Sequence, residues 1–163
     1  MRKTDAVVDD QVDVLDDERV ERAVRFVAAT PQEIFDLLAD PRQHVHLDGS
    51  GSVRGVAEAP ARLELGSTFQ MSMHLGVPYR ITSTVVEFDE PAQIGWRHMG
   101  GHIWRYRLRA VEGGTEVTEE FDWRPSRAPL MLRLMQAPRR NAAALEATLD
   151  RLAEHFADPG DPD

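Results

Sequence analysis

The 163-residue chain has no cysteine, and that single absence removes disulfides, thiolate nucleophiles and cysteine-ligated zinc together. Lys3 is the only lysine, so the basic residues are otherwise all arginine, a bias that points to a GC-rich genome more than to a function. No uninterrupted apolar run approaches the roughly 20 residues a membrane span needs, and no apolar signal core follows the N-terminus. Positive charge is also scarce: 19 Lys and Arg face 28 Asp and Glu, for a formal charge of -9. Non-specific binding to a phosphate backbone relies on clustered Lys and Arg, so nucleic acid is a poor partner. The chain reads as cytosolic, without integral membrane association, and as a monomer or homodimer. No Walker sequence and no Gly-x-Ser-x-Gly elbow occurs, and Gly49-Ser50-Gly51, followed by Ser52, Val53 and Arg54, fails the dinucleotide fingerprint and reads as a connector.

What is present is enough apolar residue, 42%, to build one core of ordinary domain size. Residues 1–18 are dense in Asp and residues 157–163 read Ala-Asp-Pro-Gly-Asp-Pro-Asp; both stretches are expected to lack fixed structure, leaving a domain over 19–156. Arg19 to Ala28 alternates as a first strand, with Val20, Ala23 or Val24, and Phe26 as its apolar members. Thr30-Pro31-Gln32-Glu33 is a capping box with proline in the first helical position, and Asp40-Pro41-Arg42-Gln43 repeats the start signal at once, giving two short helices. From Ser52 to Arg124 the punctuation is that of a meander, with strands of about six to ten residues between Gly or Pro turns. After Pro125, Leu130, Leu134, Leu145, Leu149, Leu152 and Phe156 recur at three and four, predicting a long terminal helix capped by Ser126 and broken near Ala137 by Pro138.

Two hairpins set the expected faces. With Gly113-Gly114 as a two-residue turn, Arg107 faces Glu120 and Arg105 faces Asp122 on one side, while Tyr106 faces Phe121 and Trp104 faces Trp123 on the other. A three-residue loop, Met99-Gly100-Gly101, then places His98 opposite His102 and Trp96 opposite Trp104. In the earlier strands Phe69, Met71, Met73 and Leu75 share one face, and Ile81, Ser83 and Val85 point inward.

The order strand, two short helices, six-strand meander, long terminal helix is that of an α+β domain. Ala29-Thr30-Pro31-Gln32-Glu33-Ile34-Phe35 with Leu38-Ala39-Asp40-Pro41, then Val85-Val86-Glu87-Phe88-Asp89-Glu90-Pro91 leading to Trp96, and Gly113-Gly114-Thr115-Glu116-Val117 resemble the START and Bet v1-like superfamily. The likeness is to its polyketide cyclase/dehydrase and lipid-transport branch as found in actinobacteria, and it runs from about Arg19 to Phe156. It implies the helix-grip fold, a seven-stranded curved antiparallel sheet around the C-terminal helix, with a cavity that holds lipids, polyketides, sterols or hormones in different members. These motifs are caps and turns, so they identify fold better than activity.

The expected ligand wall is Phe69, Met71, Met73, Ser83, Trp96, His98, Trp104, Tyr106, Glu119, Phe121 and Trp123, with Met131 and Met135 at the mouth. Each of these is also an ordinary core candidate; together they exceed what a thin sheet-on-helix layer needs. Glu119 falls on the aromatic face between Val117 and Phe121, where a carboxylate is costly unless paired, so it is either a cavity acid with a raised pKa or a solvated rim residue. His98 and His102 would make a metal site only with Glu119 or His74, and no helical ligand motif supports one, so no metal and no cofactor is expected. His44 and His46 read as surface or loop residues, and the stripe Arg105, Arg107 and Arg109 as a solvated face neutralised by Glu120 and Asp122. The expected function is binding or transport of a hydrophobic small molecule. The alternatives are a polyketide aromatase/cyclase using Glu119 or His98 to move protons, and a regulatory or stress-related interaction module.

Overall fold

A computed structural model describes residues 18–157. The expectations for the acidic N-terminal stretch and the Asp-Pro tail otherwise lie outside the described residues. β1 (Val20–Val27) leads to α1 (Pro31–Leu38), a 3-10 turn (Pro41–Gln43) and α2 (His44–Leu47). Six strands follow, β2 (Val53–Glu58), β3 (Thr68–Leu75), β4 (Val77–Asp89), β5 (Gln93–His98), β6 (Ile103–Val111) and β7 (Gly114–Asp122), then α3 (Pro129–Leu134) and α4 (Ala137–Ala157). The strands form one antiparallel sheet in the order β1-β7-β6-β5-β4-β3-β2, the helix-grip architecture.

The local signals act as the residues dictate. The Thr30 hydroxyl accepts the Glu33 amide while the Glu33 carboxylate accepts the Thr30 amide, and the Asp40 carboxylate accepts the Arg42 amide. α3 and α4 are separated at Met135 and Gln136, the latter at φ 55 in the left-handed region, and Pro138 then sits in the first turn of α4, where its missing N–H costs nothing. Leu145, Leu149 and Leu152 point from α4 into the core and are fully buried. Each is worth about 1.5–3 kcal/mol removed from water. Leu130 and Leu134 do not continue that stripe: both are exposed on α3, because the break re-aims the chain before α4 begins. Ser126 is likewise not the helix cap; its hydroxyl accepts the Ala128 amide and α3 starts at Pro129. On β1 the residues sharing a face with Glu119 and Val117 are Ala23 and Arg25, and Phe26 and Val24 are exposed on the other.

The β5–β6 register is as expected, with Trp96 opposite Trp104 and the His98 amide donating to the His102 carbonyl. The β6–β7 register differs by two residues. Val111 pairs with Gly114, so Glu112 and Gly113 form the turn, Arg105 faces Glu120, Trp104 faces Phe121 and Tyr106 faces Glu119. The reason lies in β1: a Cβ at Gly114 would stand 2.3 Å from the Val27 carbonyl oxygen, so this glycine is needed in the ladder and only Gly113, at φ 81, is left for the turn. A slip of two preserves every side chain's face.

Candidate functional site: a cavity under the sheet

Between the concave sheet face and α4 lies a cavity of about 510 Å³, within the size range of small-molecule sites. Strand alternation builds its wall: Phe69, Met71, Met73 and Leu75 from β3, Tyr79, Ile81 and Ser83 from β4, Trp96 and His98 from β5, Trp104 and Tyr106 from β6, Glu119 and Phe121 from β7. Ala144 and Thr148 of α4 close the opposite side. A break in register between Val85 and Glu87 is what turns Glu87 to the outer face while Phe88 packs edge-on against Phe35, ring centres 5.2 Å apart.

The wall is aromatic with two polar points. Trp96 meets Phe69 edge-on at 5.8 Å, and Trp104 lies 4.9 Å from Phe121. At the first polar point the Tyr106 hydroxyl donates to Glu119 Oε1 at 2.7 Å, while Glu119 Oε2 is buried with no hydrogen-bond partner. Burial pushes the Glu119 carboxyl up to about 8, the Tyr106 hydrogen bond opposing and the Asp48 charge adding to the rise. Burial, then the Glu119 charge, also holds the Tyr106 phenol well above its ordinary value. Glu119 is therefore mostly a neutral acid at pH 7, able to donate a hydrogen bond in an apolar wall. At the second point Ser83 Oγ lies 2.8 Å from His98 Nδ1, and His98 is held near 3 by burial and by neighbouring His102, so its ring is neutral. Burial lowers His102 too, and its Nδ1 has no partner.

Of the expected wall, Phe69, Met71, Met73, Ser83, Trp96, His98, Trp104, Tyr106, Glu119, Phe121 and Met135 line the cavity. Trp123 and Met131 do not. Trp123 follows the last ladder residue of β7 and is buried with the guanidinium groups of Arg19 and Arg133 over its ring at 5.8 and 5.3 Å, and Met131 is exposed on α3. Among the described residues no three His, Asp or Glu side chains form a metal-binding group.

His44, expected at the surface, is a wall residue: its ring stacks on Trp96 at 4.9 Å and its Nε2 is 2.8 Å from the Leu38 carbonyl oxygen. Desolvation lowers its pKa. The spacing Pro41, His44, Leu47 carried the signal, since Pro41 and Leu47 are buried and all three repeat at the 3-10 interval. The outer face also departs from expectation, because Arg105, Glu120 and Asp122 are buried rather than solvated. Arg105 takes both Glu87 carboxylate oxygens at 2.6 Å and Glu120 at 2.8 Å, and Arg124 takes Asp122 at 2.6 Å.

A family model described as polyketide cyclase / dehydrase and lipid transport matches residues 18–157. An uncharacterised protein of Mycobacterium tuberculosis is 41% identical over 145 residues, 85% of this chain and 64% of that protein. The chain thus spans about 64% of the length of the curated relatives it matches. Among solved structures, a Rhodobacter sphaeroides protein aligns with a TM-score of 0.66 at 20% identity, covering 86% of this chain and 93% of that one. A polyketide-cyclase-like protein of Corynebacterium glutamicum aligns with 0.60 at 16% identity, covering 86% and 93%. At such identities the structural likeness speaks to fold alone.

Proposed function

Because the chain belongs to the polyketide cyclase/dehydrase and lipid-transport family, we propose that it binds a flat, largely apolar small molecule carrying one hydrogen-bond acceptor, such as a carbonyl, in the cavity beneath its sheet. The supporting observation is the buried Glu119–Tyr106 pair in an otherwise aromatic and aliphatic wall. Apolar burial supplies affinity, and a protonated Glu119 supplies one oriented donor. Native mass spectrometry of gently purified protein should find a small-molecule adduct, and apolar ketones should raise the melting temperature. Glu119→Gln keeps a donor and should bind such a ketone within about twofold of the parent, whereas Glu119→Leu should bind it about tenfold more weakly. Parent affinity should fall as pH rises through about 8, because the ionised carboxylate loses its donor. A chain that stays ligand-free and unshifted by every apolar compound sinks this reading.

The same carboxyl favours a second reading, an aromatase/cyclase. A carboxyl held near 8 is suited to proton transfer near neutral pH: its ionised fraction takes a proton from the carbon between two carbonyls of a poly-β-ketone, and the acid so formed returns that proton to the alkoxide made on ring closure. Here Glu119→Gln and His98→Ala abolish turnover of a polyketide mimic while sparing its binding. Unchanged turnover rejects those two roles.

A further inference from the structure

The meander brings three apolar points to one end of the sheet. The β3–β4 turn carries Leu75, Val77 and Tyr79, all exposed. The β5–β6 turn lies at the same end and carries Met99, three-quarters exposed at 75%. β7 also finishes there, and the segment after it docks on that turn through the Arg127 amide donating to the Gly100 carbonyl at 3.0 Å. It leads into α3, where Leu130, Met131, Leu134 and Met135 are exposed at 54–77%. Leu75, Tyr79 and Met135, all exposed, also line the cavity, so it reaches the surface at this end, beside Asp48, Ser50 and Ser52 of the loop before β2.

The segments that carry these apolar residues are basic in an acidic chain. Residues 66–86 and 123–145 contain no Asp or Glu, in a chain of formal charge -9. They carry the exposed Arg80, Arg127, Arg139 and Arg140, with Arg140 itself on the cavity wall. The acids that directly flank these segments, Glu87, Asp122 and Glu146, are held by Arg105, Arg124 and Arg25; Asp48, on the cavity wall, accepts the Ser50 and Val53 amides, and Glu18 is exposed before β1.

Exposed Leu and Met set among exposed arginines fit one surface: a bilayer with anionic headgroups, apolar tips entering the acyl boundary and guanidinium groups meeting phosphate. We propose that this end of the protein docks peripherally on anionic membranes, setting the cavity mouth against the lipid. The 163-residue chain should float with phosphatidylcholine vesicles containing phosphatidylglycerol and not with phosphatidylcholine alone, and high salt should release it. Leu130→Glu with Leu134→Glu should abolish flotation, and Arg127→Glu with Arg139→Glu should weaken it at least tenfold, since each basic residue contributes about fivefold near an anionic surface. All four side chains are exposed, so an unchanged melting temperature separates lost docking from lost folding. A 163-residue chain that ignores both vesicles overturns the proposal. The patch would then belong to a second copy, seen as a dimer that Leu134→Glu dissociates, or to the chain's own acidic residues 1–17. Flotation that survives the leucine variants overturns it as well. Neither result touches the cavity reading, whose readout is a bound small molecule.

Discussion

At the scale of single residues, burial separates ion pairs that sequence spacing cannot. Arg105 and Arg107 are alternate members of one stripe, yet the Arg105 side chain is 7% exposed and the Arg107 side chain 52%. Arg105 holds Glu87, Glu120 and Asp122 at once, so Arg105→Ala leaves three carboxylates without their shared cation and should cost about 3–5 kcal/mol in denaturant unfolding. Arg107, 3.6 Å from Glu120 and half in water, should lose less than about 1 kcal/mol as Arg107→Ala. Equal losses would mean that the network is solvated after all. Alternation places Arg105 on the outer face and stops there; its burial depends on the register break that brings Glu87 across from Gly95, beside it, a feature no single-strand pattern encodes.

At the scale of elements, caps and turns were legible and contacts between distant elements were not. Thr30, Asp40, the β5–β6 loop and the break before Pro138 carry their signals within a few residues. The two-residue offset of the β6–β7 hairpin was hidden because Gly113-Gly114 permits two turn positions and only Val27, far away in sequence, selects one. Most of the candidate wall survives that offset, since a slip of two keeps the face. Gly49 shows the same limit: read as a connector, it presses against α4. A Cβ there would lie 2.5 Å from the Ala144 carbonyl oxygen and the Thr148 nitrogen, both backbone, and its amide donates to the Thr148 hydroxyl at 2.9 Å. Gly49→Ala should therefore cost about 1–3 kcal/mol by prising the loop off the helix. Its melting temperature should drop below that of Gly51→Ala, where φ is 70 but nothing crowds the added carbon. The opposite ranking would show that backbone conformation, not helix packing, fixes this loop.

At the scale of the whole molecule, the cavity's titratable groups shape how stability depends on pH, and the two polar points pull in opposite directions. His98 is depressed from 6.5 to about 3, so the unfolded chain binds the extra proton between those values and stability falls as pH drops through them; His44 and His102, lowered by burial, act in the same sense. Glu119 is raised from 4.5 to about 8, so the folded chain binds the extra proton and stability falls as pH rises through that window. Between about 4.5 and 6.5 the two effects oppose each other. The unfolded-state histidines lose their protons within about one unit above 6.5, so above about 7.5 Glu119 dominates among these cavity groups, with a slope below about 1.4 kcal/mol per pH unit that fades once pH passes about 8. Denaturant unfolding from about pH 7.5 to 9 should show the parent losing stability, while Glu119→Gln, which has no proton to exchange there, stays nearly flat. The variant should also be more stable than the parent at pH 9, where the parent's buried carboxylate is ionised. If the variant keeps the parent's slope, Glu119 ionises as a solvated carboxylate and the neutral donor proposed for the cavity does not exist.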